Sequence, residues 1–592
     1  MSHTVPVAPE PSLSVPRIRG ALGEKVLRKS PELFNQSLPT VLAEVLQNSR
    51  RAGATRMEIE LLGGEGHATL VVRDDGHGIA DMAQLVTFGS SDWDERTDLM
   101  ENAAGMGVFS LASRGVTVRS RGRRVTLSRE VFCGEAEAAV LPDPGMGVGT
   151  ELLFPVNERA VPQVIERVCR FYPLPVTLNG QALPRRDFLA GAVHEVAWQG
   201  LRLGVFHAVP PAVRGVHDAH WGSERHLYLN FHGHVVRCEG AVTLAEVDGR
   251  RWCVLADVVN APDLRLVLPA RHEPIENDFF RALRQRMERA ILEAVAASGR
   301  HALAYADSRR AAALGIVLPE PAITLPAWRM GSEESRGRLD EMPPVLLGRE
   351  SGEVLLVPGP TYLERFEEAN LHAFLAAWPG HPTVVEGLDA YIGYPAYDAL
   401  PRVVRLEAEV TGIDGTQETW PSVPTVPAQG QPAPVEADHR LVRGIRARLL
   451  LRHSADGQAA ASVMRHAVAL PFLFVSETDT FDFPGTLVAE GTGPADLADA
   501  LVDGFFVHSD DAGADSYERQ LEGYRADAID LARRLLLTAD QAAVARVMDV
   551  LRDAGWTLRT LRGGRIEIDI PAEGDGTIAI TDAAGTLSRH AL

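Results

Sequence analysis

Three short segments constrain this chain more than anything else in it, and they occur in a fixed order. The first, "LPTVLAEVLQNSRRAGA", sets Val41, Leu42, Val45 and Leu46 on one stripe, the spacing of a helix buried along one face. That spacing leaves Glu44 and Asn48 one turn apart and pointing the same way. The second, "HATLVVRDDGHG", is a β-rich run that ends in Asp74, Asp75, Gly76 and Gly78. With "RMEIELLG" before it and a glycine-rich turn between, it reads as a hairpin. The third, "GMG", carries Gly105 and Gly107 and precedes the apolar run "VFSLAS", read as the start of a helix. Further strands are expected near 115–120, 124–132 and 150–156. A helical layer on a mostly antiparallel sheet is the expected architecture of residues 21–155, an α+β sandwich.

Each segment also has a chemical use. A carboxylate at a strand end, beside glycines that admit a ligand to the backbone, can accept a hydrogen bond from an exocyclic amine such as that of adenine. Glycines at a helix N-terminus leave backbone N–H groups open to phosphate. Asn48 offers a neutral oxygen to Mg²⁺, a hard cation that keeps waters and takes few protein ligands. Glu44 can polarise a water aimed at a γ-phosphate. Taken singly, each residue has an ordinary alternative: a surface acid, a capping Asn, a loop glycine.

Taken together, the segments resemble the nucleotide-binding boxes of the GHKL ATPases, the Bergerat-fold family of gyrase, MutL, histidine kinases and the ninety-kilodalton heat-shock chaperones. The resemblance implies ATP and Mg²⁺ as ligands, with Glu44 as general base and Asn48 as metal ligand. It implies that Asp74, Gly76 and Gly78 hold the adenine side, and that Asn102, Gly105, Gly107 and Val108 hold the phosphate side. Thr150, in "GVGTELLF", would support Asp74, and residues 80–104 would form the mobile lid. Two positions depart from the family pattern. Arg51 stands where an Asp is common, and Asn102 where the phosphate loop often has Gly.

Downstream, strands and a long amphipathic helix, "NDFFRALRQRMERAILEAVAASG", suggest a second α+β domain over 156–325. It is similar in layout to the transducer or middle domain that follows the ATPase domain in this family. Relatives of the gyrase and MutL kind sense the γ-phosphate with Lys, but the only lysines here are Lys25 and Lys29. Arg271 matches the catalytic Arg of the chaperones; the plain alternative is pairing with Glu273 or Glu276. An additional α/β region is expected over 326–420, a Pro-rich linker over 421–437, and a C-terminal α+β domain over 438–592. Residues 1–20 read as a flexible Pro-rich lead.

The resulting expectation is an ATP-hydrolysing molecular clamp, a divergent relative of the heat-shock chaperones. It would be a homodimer held by the C-terminal region, remodelling a client protein the sequence does not name. The rivals are a MutL- or MORC-like ATPase acting with nucleic acid, and a nucleotide-sensing scaffold. A formal charge of −20 disfavours nucleic acid as the main partner. No apolar run is long enough for a membrane span, no signal-peptide pattern opens the chain, and four scattered cysteines suit a reducing compartment, so a cytoplasmic location is expected. His217, His220, His226, His232 and His234 crowd one stretch, but strand alternation there favours exposed side chains over a metal site.

Overall fold

The computed structural model describes Arg28, Glu32 and most of residues 37–592. Outside the description lie 65–66, 88–106, 215–224, 268–272, 331–342, 349–352, 358–362, 421–438, 453–462, 477–482, 510, 512–513, 554, 556–558, 560–561, 572, 574 and 592. The chain forms two compact units, Met1–Pro321 and Ala322–Leu592.

Among the described residues, the first unit holds two sheets. Helix α1 (Leu38–Arg51) begins with Pro39 in its first turn, where a missing N–H costs nothing. Its stripe of Leu38, Val41, Leu42, Val45 and Leu46 is buried in the principal core. Strands β1 (Met57–Gly64) and β2 (His67–Asp74) form the expected hairpin, and β2 continues the sheet into β6 (Thr150–Val156). With β3 (Val116–Ser120), β4 (Arg123–Leu127), β5 (Leu141–Pro142), β7 (Val176–Leu178) and β8 (Gln181–Ala182), the order is β5-β4-β3-β6-β2-β1-β7-β8. All pairs are antiparallel except β1 with β7.

Three features differ from the sequence reading. The strand expected over 124–132 stops at Leu127, and after Ser128 a short helix, α2 (Arg129–Phe132), tucks Phe132 into the core. The apolar run after "GMG" makes only a five-residue 3-10 helix, Gly107–Leu111. The first sheet also runs past residue 155: helix α3 (Val161–Cys169) buries Val161, Ile165 and Cys169 in the same core, and β7 pairs with β1.

The second sheet has the order β12-β11-β14-β10-β9: β9 (His194–Trp198), β10 (Leu201–Phe206), β11 (His226–Phe231), β12 (His234–Glu239) and β14 (Arg251–Val258), with β13 (Thr243–Ala245) on β14. Helix α4 (Asp278–Ala297), capped by Asn277, lays Phe280, Leu283, Met287, Ile291 and Val295 in its core. The β11–β12 hairpin turns at His232 and Gly233, both with positive φ, so His232 is a turn residue rather than a strand residue. Among the described residues, no three His, Cys, Asp or Glu side chains group as metal ligands; His217 and His220 lie outside the description.

In the second unit, residues on both sides of the Pro-rich stretch share one sheet. Strand Arg402–Thr411 pairs with Val354–Val357 on one side and with Gly444–Arg452 on the other. Helices Pro494–Phe505 and Tyr517–Leu536 bury a separate apolar cluster, and the chain ends in three antiparallel strands, Arg565–Asp569, Thr577–Thr581 and Leu587–Ala591. Among the described residues, no helix is long and apolar enough to cross a membrane.

Candidate functional site

The period-2 alternation of β2, β6 and β3 writes two rows across the end of the first sheet. Asp74 lies opposite Thr150, and Thr150 opposite Ser120; these face the helical layer with Leu70, Val72 and Val118. One residue earlier on β2 and β3 and one later on β6, Arg73, Glu151 and Arg119 form the row on the opposite face.

Asp74, at one end of the inner row, is its one carboxylate. Its Oδ2 accepts from Ser49 Oγ at 2.9 Å and its Oδ1 from the Gly76 backbone N–H at 3.0 Å. Burial pushes its carboxyl above the usual range, opposed by the hydrogen bonds from Gly76, Ser49 and the Thr150 backbone. Three donors on the four lone pairs of the carboxylate leave one, so the group can accept one more donor. Gly76 is required here by close approach: a Cβ would lie 2.7 Å from Ala52 O, where the His77 N–H docks the turn onto the end of α1. Gly78 is buried in the same turn, and the next N–H, of Ile79, donates to Ser120 Oγ.

Glu44 and Asn48 are half-buried on α1, and the segment from Gly107 packs against them. A Cβ at Gly107 would stand 2.7 Å from Glu44 Oε2 and 3.5 Å from Asn48 Nδ2. A side chain at 107 would displace the Glu44 carboxylate, the free end of a flexible side chain, so glycine leaves that carboxylate its position. Val108 packs partly buried on the core. Arg51 does not simply face solvent: its Nη1 donates to Asn48 Oδ1 at 3.2 Å and its Nη2 to Gln47 Oε1 at 3.1 Å.

Asp75, adjacent to Asp74, turns away from this cluster. It accepts from the Thr55 hydroxyl and from the backbone N–H groups of Thr55 and Arg56. The Thr55 hydroxyl, foremost, lowers its carboxyl to about 2.

The structure thus gathers Glu44, Asn48 and Gly107 on one side and Asp74, Gly76, Gly78 and Thr150 on the other, joined through α1. Asn102, Gly105 and Arg271 lie outside the described residues, as does the lid segment from 88 onward. Sequence reasoning missed Ser49. Its signal was present: Ser49 extends the Leu42–Val45 stripe by one more turn, so a polar residue had to be buried there and needed a partner. Tyr172 was missed as well. It is buried, its hydroxyl donates to Leu46 O on α1 at 2.6 Å, and it touches the β11–β12 turn, where a Cβ on Gly233 would lie 2.9 Å from Tyr172 Cα.

Residues 36–132 match the family model described as "Histidine kinase-, DNA gyrase B-, and HSP90-like ATPase". No curated protein matches the chain. A solved structure described as "Crystal Structure of N terminal domain of a DNA repair protein" is 13% identical, covering 49% of this chain and 99% of that one, with a TM-score of 0.29. The N-terminal domain is of the Bergerat type within a mixed α+β chain. The family match supports ATP binding and, at a coarse level, ATP hydrolysis.

Proposed function

We propose that this chain is an Mg²⁺-dependent ATPase that works as a nucleotide-driven clamp on a client protein. The observation that supports it most is the convergence of Glu44, Asn48 and Gly107 beside the hydrogen-bonded Asp74. In this reading Asp74 accepts a hydrogen bond from the adenine amine, held in place by Ser49 and Gly76. Glu44 takes the proton of the attacking water as the new oxygen–phosphorus bond forms and the bond to the departing ADP oxygen breaks. Arg271 is the proposed γ-phosphate sensor, and an arginine there can stabilise developing charge without exchanging a proton.

The donor set fits Mg²⁺. Asn48 offers a neutral oxygen with one lone pair beyond the Arg51 contact, enough for a cation whose other ligands are waters and phosphates. Bound there, Mg²⁺ would neutralise phosphate charge. The guanidinium of Arg51 holds that oxygen on its own side, with Nδ2 toward Gly107, and would weaken the affinity by its charge. Tyr172 supports the clamp, because it ties the helix of Glu44 and Asn48 to a hairpin of the second sheet. A homodimer joined by the C-terminal region completes the proposal.

Glu44→Ala tests it. ATP binding is expected to persist while turnover falls about 100- to 10,000-fold. Unchanged turnover would remove the general-base role. Turnover stimulated by DNA, with steep salt dependence, would shift the reading to a MutL- or MORC-like ATPase.

A further inference from the structure

The first unit carries a basic groove apart from the nucleotide cluster. An open depression of about 870 Å³ lies between the N-terminal turn of α1, helix α3 and the β11–β12 hairpin. Arg167, Arg170, Arg214, Arg237 and His234 line it. A second depression of about 260 Å³ adjoins it, sharing Arg214 and Tyr228 and adding Arg225 and Arg251. Neither depression has an Asp or Glu among its described lining residues, in a chain with 79 acids and 59 bases. Such segregation of charge marks an anion-binding surface.

The arginines are partly preorganised. Arg170 Nη1 donates to Ala212 O at 2.9 Å and Arg214 Nε to Val209 O at 2.8 Å, bonds that fix each fork and leave further N–H donors. Arg167 and Arg237 are exposed at the rim. The floor between them is apolar, formed by Phe171, Val213 and Val235. A nucleic-acid groove is typically polar, and single strands need exposed aromatic faces for stacking. Among the described lining residues the Phe, Tyr and Trp rings are held inward, Tyr228 and Trp252 each 2% exposed and Phe171 9%, and none of these three presents a stacking face. An apolar floor with a guanidinium rim instead complements a peptide whose carboxylates flank an apolar side chain.

We propose that this groove binds an acidic, apolar-anchored peptide segment of a partner protein. The binding needs no nucleotide and is therefore separable from the ATPase reading. The test is fluorescence anisotropy on the full chain without nucleotide, with a labelled decapeptide of glutamates around two central leucines. The comparison probes are its all-Gln counterpart and a ten-nucleotide single-stranded DNA. The acidic peptide is expected to bind at least about tenfold more tightly than the Gln peptide. Arg167→Glu with Arg237→Glu should weaken it at least about tenfold while circular dichroism and the melting temperature stay those of the wild type. Equal affinity for the two peptides would overturn the proposal, and so would indifference to the double reversal. Tighter, reversal-sensitive binding of the DNA would overturn it too, making the groove a nucleic-acid site.

Discussion

The two faces of the first sheet use the same three strands to opposite ends. On the outer face, Glu151 sits between Arg73 and Arg119, with Asp143 on Arg119 at 2.6 Å and Glu60 on Arg73 at 2.8 Å. Burial would raise Glu151's carboxyl, but hydrogen bonds from the two guanidiniums bring it below its ordinary range. On the inner face, Asp74 has only neutral donors, Ser49 Oγ and backbone N–H groups, and its carboxyl is raised. A carboxylate between two cations is already satisfied. A carboxylate held by neutral donors retains acceptor capacity and an electrostatic cost, which an arriving amine can relieve. One step along a strand separates a structural ladder from a ligand contact.

The comparison can be broken at several points. The largest effect expected is the loss of turnover in Glu44→Ala, already described. Next is Glu151→Gln, which leaves two guanidiniums around a neutral group. Because Arg73 and Arg119 are about a third exposed, with side-chain exposures of 36% and 32%, water offsets much of the loss and the expected cost is below that of a fully buried pair, about 1–2 kcal/mol. That is a drop of several degrees in melting temperature with ATP affinity unchanged. A weakened affinity without loss of stability would mean that the outer row shapes the site.

Arg51→Ala should act more weakly and in the other direction. Removing a positive charge from Asn48 Oδ1 should tighten Mg²⁺ in the nucleotide complex by about three- to tenfold, read by calorimetric Mg²⁺ titration. Looser Mg²⁺ would show that Arg51's orienting bond outweighs its charge. The smallest effect is at Asp75. Its folded carboxyl, at about 2, lies below the unfolded value near 3.9, so its contribution is present above about pH 4 and is lost as pH falls through about 2. Asp75→Asn should flatten the acid limb of the stability curve in that window; an unaltered limb would show that the Thr55 contacts add nothing.

Much of this was readable in the sequence where one period governed a segment. The stripe of α1 and the alternation of β1, β2 and β6 placed Glu44, Asn48, Asp74 and Thr150 on their elements. Ser49 was readable in principle, as a polar residue on an apolar stripe. The outer ladder was not, because pairing Arg73 with Glu151 across 78 positions depends on register rather than composition. Nor was the growth of the sheet by β7, a three-residue strand with a parallel partner far upstream. The five residues from Gly107 could not distinguish a 3-10 turn from the first turn of a longer helix. In the second unit, the Pro-rich stretch marks a break in composition, yet strands on either side pair because apolar alternation in Arg402–Thr411 and Gly444–Arg452 needs a common core.

The most direct measurement is calorimetric ATP binding to Asp74→Asn, with melting followed in parallel. The substitution keeps an oxygen for the Gly76 N–H and presents an amide to Ser49 Oγ, which can rotate to accept. It also removes a buried charge whose raised carboxyl lowers stability as pH climbs through it. The fold should therefore melt no lower than wild type at neutral pH, while ATP affinity falls about 100-fold. Wild-type ATP affinity in a folded Asp74→Asn protein would contradict the account at its centre.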